Sequence, residues 1–573
     1  MPAERPSKVI GEVRAHSDSD SELPVVKKPR LDTEKGSNPV ISENTSQKAK
    51  TRKVRKKDLA LPEPCSPEDV LWQDIISVLG NDVYEKAKQD ELLFTSPFQR
   101  HEIVPVEIAS LSATGEAIGL VTGQARRPWA IIVPFALPGE IVQAKIFRDA
   151  KLHSYAELVE VTQPNLELRD MSEVKCKYFG TCGGCQYQML PYDKQLKIKR
   201  DVVVKAFDTF SGLPVSSIPA IQPTVGAPLQ YHYRTKLTPH FDGPPKEHRY
   251  KKAVTADGRL EKPDWLKIGF NRVGTRSVID IEECPIATQV VNETLPKLRE
   301  NIIRHVYPTW SARSAHTYKK GVSLVLRDSL LTDVPPPVPP SDSSDSINNS
   351  PPSLDEHFCI TDPKANVREK VGDWIFEYNA SSFFQNNNSA LVPLIDHIRD
   401  AIFLPQSTPD TTLRRPTHLV DAYCGAGLFS ISLSPYFDVI TGIEISDKSI
   451  KCAKKNALMN GIPSSKISFR EGDAADIFST VRRNFPPDKT VLIIDPPRKG
   501  CDDQFIKQLL NFRCSTIVYV SCFVPTQARD VGKLIQATRD DGEGRRYVLE
   551  SVRGFDLFPQ TSHVEGVAIL RLV

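Results

Sequence analysis

The chain has 573 residues, of which 40% are hydrophobic and 25% charged, so it is too long for one hydrophobic core and we expect three or four domains. Its 74 lysines and arginines against 71 acids give a formal net charge of +3, and the basic excess gathers near the N-terminus, which indicates an anionic partner or a targeting signal. The 11 cysteines come without an apolar signal segment, and no run of about eighteen apolar residues occurs, which argues against a secreted disulfide scaffold and against a membrane span.

The N-terminal tail, residues 1–62, is rich in Ser, Lys, Glu and Pro and nearly lacks aromatics, so we expect it to be disordered. Two basic runs within it, Lys27–Arg30 and Lys48–Lys57, resemble a bipartite nuclear localisation signal, although a phosphate-binding arm or a merely solvated tail would have the same composition. We therefore expect the protein in the nucleus or cytoplasm. A mitochondrial targeting sequence is less consistent with the acids among the first residues. Residues 63–97 follow as a short helical segment with an amphipathic pattern.

The pattern changes to a period of two over residues 98–165, where Val104, Val106 and Ile108 alternate with polar residues. Glycines and a Pro-Gly pair separate several short apolar runs at regular spacing. These features predict a small β-barrel of the oligonucleotide-binding type. Such barrels bind RNA or serve only as interaction modules, and the pattern alone leaves both alternatives open.

Four cysteines in the next domain, residues 166–364, have the spacing of a ligand set. Cys176 is followed closely by the Cys182-Gly-Gly-Cys185 turn, and Cys284 comes about a hundred residues later. Three thiolates on a glycine-containing loop can wrap an inorganic cluster, which a distant fourth thiolate would complete. A structural zinc site and a group of unliganded buried cysteines are the competing interpretations.

Two further features belong to this α+β domain. Residues 231–236 combine tyrosine, histidine, arginine and lysine, which suits stacking on splayed bases but is also compatible with an ordinary edge strand. Residues 332–356 carry proline, serine and aspartate with almost no core-forming residues, and we expect them to be a disordered insertion.

Residues 365–573 alternate strand and helix patterns, which predicts an α/β domain with a parallel sheet. The apolar run from Thr417 leads into Tyr423-Cys-Gly-Ala-Gly427, and the next strand ends in Glu444. A glycine turn lets the backbone approach a nucleoside, and an acid at the end of the following strand is placed for ribose hydroxyls. The turn lacks the spacing of a pyrophosphate-binding dinucleotide site, so a cofactor without phosphates, such as S-adenosylmethionine, fits better.

A second apolar run, Ser515–Ser521, ends at Cys522. A buried structural cysteine is the simpler interpretation of such a residue taken alone. Other predicted strands, however, end near Tyr423, Glu444 and Asp495, and the last strand begins near Glu565. Carboxyl ends of parallel strands share one edge of a sheet, so this convergence favours a catalytic role for Cys522.

Together these motifs resemble the RNA 5-methyluridine methyltransferase family, the S-adenosylmethionine-dependent tRNA and ribosomal RNA uracil-C5 methyltransferases, over residues 98–573. The resemblance implies a Rossmann-like class I methyltransferase domain at 365–573, preceded by a TRAM-like barrel and a central α+β domain. It identifies Cys522 as nucleophile and Glu565 as general base. The implied cofactor-binding residues are Gln385, Tyr423, Glu444 and Asp495, and the implied ligands of a 4Fe-4S cluster are Cys176, Cys182, Cys185 and Cys284. The family usually has Ser-Cys-Asn-Pro after the strand, whereas here Phe523 follows the cysteine.

The resemblance also implies a reaction. A thiolate adds to carbon 6 of uracil so that carbon 5 can accept a methyl group, and a base then removes the carbon 5 proton. Because only the thiolate reacts, we expect nearby positive charge or a helix start to lower the pKa of Cys522. The long basic tail suggests a eukaryotic protein that acts as a monomer on uridine 54 of the tRNA T-loop. Ribosomal RNA as substrate and a noncatalytic RNA-binding or tRNA-folding factor remain the alternatives.

Overall fold

The computed structural model describes residues 62–90, 94–122, 127–243, 245, 262–306, 322–331, 356–403, 415–472, 481, 484–539 and 544–573. The basic runs of the N-terminal tail and nearly all of the predicted insertion, residues 332–355, lie outside these ranges. Across the described ranges, no helix has the length and apolar character needed to cross a bilayer.

The described helices and strands follow the alternation that the sequence predicts. The α-helices are α1 (Pro67–Leu79), α2 (Asn81–Gln89), α3 (Tyr192–Phe210), α4 (Gln289–Asn301), α5 (Asn388–Phe403), α6 (Leu428–Ser432), α7 (Asp447–Met459), α8 (Asp503–Phe512) and α9 (Val524–Arg539). The first strands are β1 (Ile103–Leu111), β2 (Ala117–Val121), β3 (Ala130–Val133), β4 (Ile141–Asp149), β5 (His153–Gln163), β6 (Gln222–Val225), β7 (Lys236–Leu237), β8 (His240–Phe241), β9 (Gly269–Asn271), β10 (Val278–Asp280) and β11 (Val322–Ser323). The remaining strands are β12 (Leu326–Leu330), β13 (His357–Ile360), β14 (Asn366–Val371), β15 (Trp374–Asn379), β16 (His418–Ala422), β17 (Val439–Glu444), β18 (Ile467–Glu471), β19 (Thr490–Ile494), β20 (Thr516–Ser521), β21 (Tyr547–Phe555) and β22 (Glu565–Leu572).

Strands β1 to β5 close into a barrel in the order β1-β2-β3-β5-β4, which confirms the predicted small barrel. Its interior is filled by the alternating residues of the sequence pattern, including Val104, Val106 and Ile108, because successive side chains of a strand point to opposite faces. Helix α1 packs on the barrel through Trp72 and Ile75, so the helical segment before the barrel belongs to the same core.

The C-terminal domain is built on an eight-stranded sheet in the order β18-β17-β16-β19-β20-β22-β21-β6. Every neighbouring pair is parallel except those that involve β22, which runs antiparallel to both β20 and β21. Strand β6 comes from the central part of the chain and extends the edge beside β21. Helices α5, α6 and α7 pack on one face of the sheet and α3, α8 and α9 on the other.

The central part of the chain forms two small sheets, β10-β9-β8-β11 and β13-β12-β7, while β14 and β15 form a hairpin. One fully buried arginine, Arg327 on β12, connects the second of these sheets to the segment before α5. Its guanidinium donates to Glu369 at 3.0 Å and to Asn386 at 3.0 Å, and it also contacts the Tyr378 hydroxyl. Because a buried charge is tolerated only when it is paired, this network fixes the backbone that leads into residue 386.

A close approach between α9 and the end of α3 gives a test of the fold. A methyl group on Gly532 would lie 1.8 Å from the Ser211 carbonyl oxygen. In a helix interior, alanine is normally more stabilising than glycine. We nevertheless expect Gly532→Ala to lower the free energy of unfolding by about 1–3 kcal/mol, because the added methyl group would force the backbones of α9 and Ser211 apart. Urea unfolding measures the change. Gly472→Ala, where the added methyl would meet its nearest atom at 3.9 Å, is the control, and an equal or increased stability of Gly532→Ala would contradict the described packing.

Candidate active site

The reversed strand β22 brings the start of one strand to the carboxyl ends of the others. Ser521 at the end of β20 pairs with Gly566 near the start of β22, so the adjoining residues Cys522 and Glu565 lie side by side. On the other side of β20, Ile494 of β19 pairs with Tyr519, and Asp495 follows it directly. The structure therefore places three of the predicted residues at one edge of the sheet.

The predicted cofactor turn lies at the same edge, directly after β16. Tyr423, Gly425 and Gly427 all have positive φ angles of 65°, 53° and 92°, and such a backbone is easily adopted by glycine and rarely by tyrosine. The Glu444 carboxylate accepts the backbone N–H of Gly425 at 3.3 Å and that of Ser446 at 3.0 Å. The acid at the end of β17 is therefore held against the glycine turn, as the sequence spacing predicts.

Gln385 lies in the loop between β15 and α5. The preceding residue, Phe384, is buried and stacks on Tyr378 with ring centroids 4.5 Å apart and planes at 13°. Lys236 of β7 donates to the Ser382 carbonyl at 3.5 Å. The Gln385 side chain is half-buried, so it is accessible to a small molecule at this loop.

The Cys522 thiol differs from expectation in its electrostatics. Burial raises the pKa of Cys522 to about 12, and the neighbouring carboxyl groups of Glu565 and Asp495 act in the same direction. The Arg498 guanidinium acts in the opposite direction and lowers the pKa of the thiol. The expected lowering of the pKa is therefore wrong for the protein alone, because the site buries the sulfur beside two acids.

Both acids next to Cys522 are themselves poised to hold protons. Burial and the neighbouring Asp495 raise the pKa of Glu565 well above its usual range, while Arg498 opposes this shift. Burial, and then Asp421, raises the pKa of Asp495 to about 7. The Oε1 atom of Glu565 is buried and has no hydrogen-bond partner among the described residues, so this oxygen is available to take a proton.

Arg498 is the last residue of the Asp-Pro-Pro-Arg motif that begins at Asp495. Its Nη2 atom lies 3.4 Å from the Nε2 atom of His563, which directly precedes the last strand. Its carbonyl oxygen accepts the Thr526 hydroxyl at 3.0 Å, in the first turn of α9. These contacts hold the arginine over the edge that carries Cys522.

Gln527 of α9 is a second residue whose contacts shape this edge. Its buried side-chain amide donates to the Tyr519 carbonyl at 2.7 Å and to the Gly566 carbonyl at 3.0 Å, and so it holds β20 and β22 together at the level of Cys522. Phe523, where the chain departs from the family pattern, donates its backbone N–H to Ser521 at 3.1 Å, and its carbonyl accepts the Thr526 hydroxyl at 2.9 Å. The loop after Cys522 is thus closed by backbone and hydroxyl groups without the usual asparagine.

The four predicted ligand cysteines, Cys176, Cys182, Cys185 and Cys284, line one cavity of about 200 Å³. Nowhere in the described ranges do three His, Cys, Asp or Glu side chains come close enough together to hold a single metal ion. The thiols therefore surround a space instead of meeting at one point.

The aromatic and basic residues at 231–236 are not a single exposed platform. Tyr233 is buried and donates its hydroxyl to the Pro559 carbonyl at 3.0 Å. Tyr231 is half-buried, and Lys175 lies over its ring at 4.4 Å. Only part of this segment is accessible to a base.

Comparison with known proteins decides the family. A sequence model described as tRNA (Uracil-5-)-methyltransferase matches residues 361–572. The chain is 42% identical to the Schizosaccharomyces pombe tRNA (uracil(54)-C(5))-methyltransferase, a match that covers 93% of this chain and 88% of that protein. The chain belongs to the tRNA (uracil-5-)-methyltransferase family.

A second sequence relative and one solved structure are also similar to this chain. The Saccharomyces cerevisiae tRNA (uracil(54)-C(5))-methyltransferase is 32% identical over 96% of this chain and 88% of its own length. The crystal structure of the Pyrococcus abyssi tRNA (uracil-54, C5)-methyltransferase in complex with S-adenosyl-L-homocysteine has the same fold, with a TM-score of 0.53 and 23% identity over 82% of this chain and 99% of that one. The mixed α/β fold of this family member is thus shared with a methyltransferase of known structure.

The position of Arg498 predicts a measurable change in the reactivity of Cys522. We expect Arg498→Met to raise the pKa of the thiol and to slow alkylation of Cys522 by iodoacetamide on the order of tenfold between about pH 8 and pH 10, because a nearby cation stabilises the thiolate. Mass spectrometry of the Cys522 peptide over time gives the rate. Lys499→Met removes the adjacent positive charge and should leave the rate unchanged, and an unchanged rate in Arg498→Met would contradict the assigned contact.

Proposed function

We propose that this chain transfers a methyl group from S-adenosylmethionine to carbon 5 of uridine 54 in the T-loop of tRNA. The observation that supports the proposal most strongly is the juxtaposition of Cys522 and Glu565 across β20 and β22, since the reaction needs a nucleophile and a base at one uracil ring. Both fungal relatives are named for methylation of uracil 54 at carbon 5.

In this proposal Cys522 acts first. Its sulfur donates an electron pair to carbon 6 of the uracil, and the electrons displaced from the ring make carbon 5 nucleophilic. The thiol must lose its proton for this step, and we assign that proton to the neighbouring Asp495 carboxylate, so that Glu565 stays free to take the carbon 5 proton later. Arg498 then stabilises the thiolate, which offsets part of the burial that raises its pKa.

Glu565 acts after methyl transfer. The proton on carbon 5 passes to the Glu565 carboxylate, the carbon 5–carbon 6 double bond forms again, and the carbon–sulfur bond breaks to release Cys522. Once it is deprotonated, a carboxylate with a raised pKa is a stronger base than that of an ordinary glutamate. Its unpartnered Oε1 atom is suited to receive this proton.

The cofactor residues in this proposal are Gln385, Tyr423, Glu444 and Asp495. Tyr423 and Asp495 follow the neighbouring strands β16 and β19, and Glu444 ends β17, as in a Rossmann-like arrangement. S-adenosylmethionine supplies an electrophilic methyl group and a positive sulfonium charge when it is bound. Glu444, held by the Gly425 N–H, is positioned to accept ribose hydroxyls. The Asp495 carboxyl faces Cys522 and is suited to orient the edge of the uracil ring.

For the RNA we propose a role of the barrel as a TRAM-like module. On its surface Arg148 lies over the Tyr155 ring at 3.8 Å, a pairing of charge and aromatic face that suits contacts with a looped RNA. The target base must leave its stack to reach Cys522, which costs a few kcal/mol and less in a loop than in a duplex. We further propose that the protein acts as a monomer. From the basic runs of the tail, we propose that it is located in the nucleus or cytoplasm.

We also propose that Cys176, Cys182, Cys185 and Cys284 bind an iron–sulfur cluster of the 4Fe-4S type. Four thiols around a cavity of about 200 Å³ supply the donors and the room for a group of several atoms, whereas a zinc ion would draw the sulfurs to one point. The cluster would have a structural role, because its ligands belong to the central part of the chain and not to the sheet edge that carries Cys522.

The proposed reaction is tested with methyl-labelled S-adenosylmethionine and a tRNA transcript. We expect label in wild-type tRNA but none in a transcript with cytidine at position 54, and none in ribosomal RNA. Glu565→Gln should lower turnover roughly 10²–10⁴-fold while a covalent RNA–protein adduct persists on a denaturing gel, because the adduct forms without the base but cannot resolve. Cys522→Ser should give neither label nor adduct. Labelled cytidine-54 transcript, or a labelled product from Cys522→Ser, would contradict the proposal.

The proposed cluster is tested by anaerobic purification followed by analysis of iron, acid-labile sulfide and zinc. We expect about four iron and four sulfide per chain, a broad visible absorption band and little zinc. Cys284→Ser should lose most of the iron, whereas Cys359→Ser, a cysteine outside the cavity, should retain it. Stoichiometric zinc with no sulfide would refute the iron–sulfur assignment.

A further inference from the structure

The loop Asp556–His563, which joins β21 to β22, is the segment that leads directly into Glu565. Several of its polar residues are buried, among them Asp556 at 1% exposure and Gln560 at 3%. Gln560 also has a positive φ of 70°, a conformation that an ordinary side chain disfavours. A buried polar loop with such a backbone persists only when surrounding groups satisfy and hold it.

Gln195 on α3 supplies the central contact. Its Oε1 atom accepts the backbone N–H of Gln560 at 3.0 Å, while its Nε2 atom lies 3.0 Å from the Oε1 atom of the Gln560 side chain. The same Nε2 atom donates to the carbonyls of Tyr187 at 3.2 Å and Leu190 at 2.9 Å. One buried amide thus ties the loop to α3 and to the chain before it.

A buried ion pair holds the beginning of the loop. Lys199, one turn further along α3, lies 2.5 Å from the Asp556 carboxylate, and both side chains are fully buried. The lysine also donates to the Phe558 carbonyl at 3.0 Å. The Tyr233 hydroxyl reaches the next carbonyl, that of Pro559. The first half of the loop is therefore anchored by α3 and by the central part of the chain.

Gln186, the residue after Cys185, holds the second half of the 556–563 loop. Gln186 donates its backbone N–H to the Gln560 carbonyl at 2.9 Å, and its side chain accepts the Ser562 N–H at 3.2 Å. The Ser562 hydroxyl in turn donates to the Thr114 carbonyl of the barrel at 2.8 Å. The barrel and the cysteine loop therefore meet the catalytic edge at the 556–563 loop.

We propose that Gln195 and Gln560 are positioning residues that hold the 556–563 loop so that Glu565 reaches the carbon 5 proton of the bound uracil. The inference rests on the proposed function, in which Glu565 acts after the methyl group has been transferred. Cys522 directly follows β20, which is paired with β19 on the side away from β22 and the loop. Loosening the loop should therefore slow release of the cysteine–uracil adduct more than its formation.

Gln195→Met tests the role, because methionine has a similar length and volume but cannot make the amide hydrogen bonds. Lys199 is less suitable, since removal of one partner of a buried ion pair is expected to unfold the region. We expect kcat to fall about tenfold to a hundredfold with an unchanged KM for S-adenosylmethionine. On a denaturing gel, the steady-state amount of covalent tRNA–protein adduct should rise several-fold above wild type, in the direction of Glu565→Gln.

Two further variants make the result decisive. Gln560→Asn keeps a residue that tolerates left-handed backbone but shortens the amide, so it should accumulate adduct as Gln195→Met does. Gln536→Met makes the same exchange at an exposed glutamine that bonds Gly212, and it should behave like wild type. Adduct that falls in proportion to turnover in both Gln195→Met and Gln560→Asn would overturn the positioning role. Absence of adduct in Glu565→Gln would instead overturn the proposed function itself.

Discussion

The antiparallel insertion of β22 into an otherwise parallel sheet is the constraint on which the site depends. Parallel strands bring their carboxyl ends to one edge, where Asp495 and Cys522 lie, but they cannot bring the start of a strand there. Only a reversed strand places Glu565, its first residue, beside Cys522. Gln527 then fixes the two strand ends by donating to a carbonyl of each.

The reversed direction of β22 also requires support from the upstream parts of the chain. The loop that joins β21 to β22 reverses the chain at the catalytic edge, since Phe555 at the end of β21 pairs with Glu565. This loop is buried under the barrel and the central domain, so its polar groups need partners. Gln195, Lys199 and Gln186 supply them from the central part of the chain and Thr114 from the barrel. The upstream domains therefore support the geometry of the site in addition to any contact with RNA. The cysteine-lined cavity adjoins this support, since Cys185 directly precedes Gln186.

The sequence patterns predict the barrel, the alternating strands and the strand ends correctly because each depends on local periodicity and turn chemistry. The contact between Glu444 and the glycine turn also follows from local spacing. The partners of the 556–563 loop cannot be predicted from local spacing, since Gln195 and Gln560 are 365 residues apart and no local pattern links them. The raised pKa of Cys522 cannot be predicted from local sequence either, because it depends on burial and on two carboxyl groups at the ends of other strands.

Trapping with tRNA that carries 5-fluorouridine at position 54 tests the central claim most directly. Fluorine on carbon 5 cannot be removed as a proton is, so the adduct should persist after methyl transfer even when Glu565 is intact. Protease digestion and mass spectrometry should then find the methylated fluorouridine linked to the peptide that contains Cys522. An adduct on any other cysteine, or methylation of normal tRNA without any trapped adduct, would contradict the account.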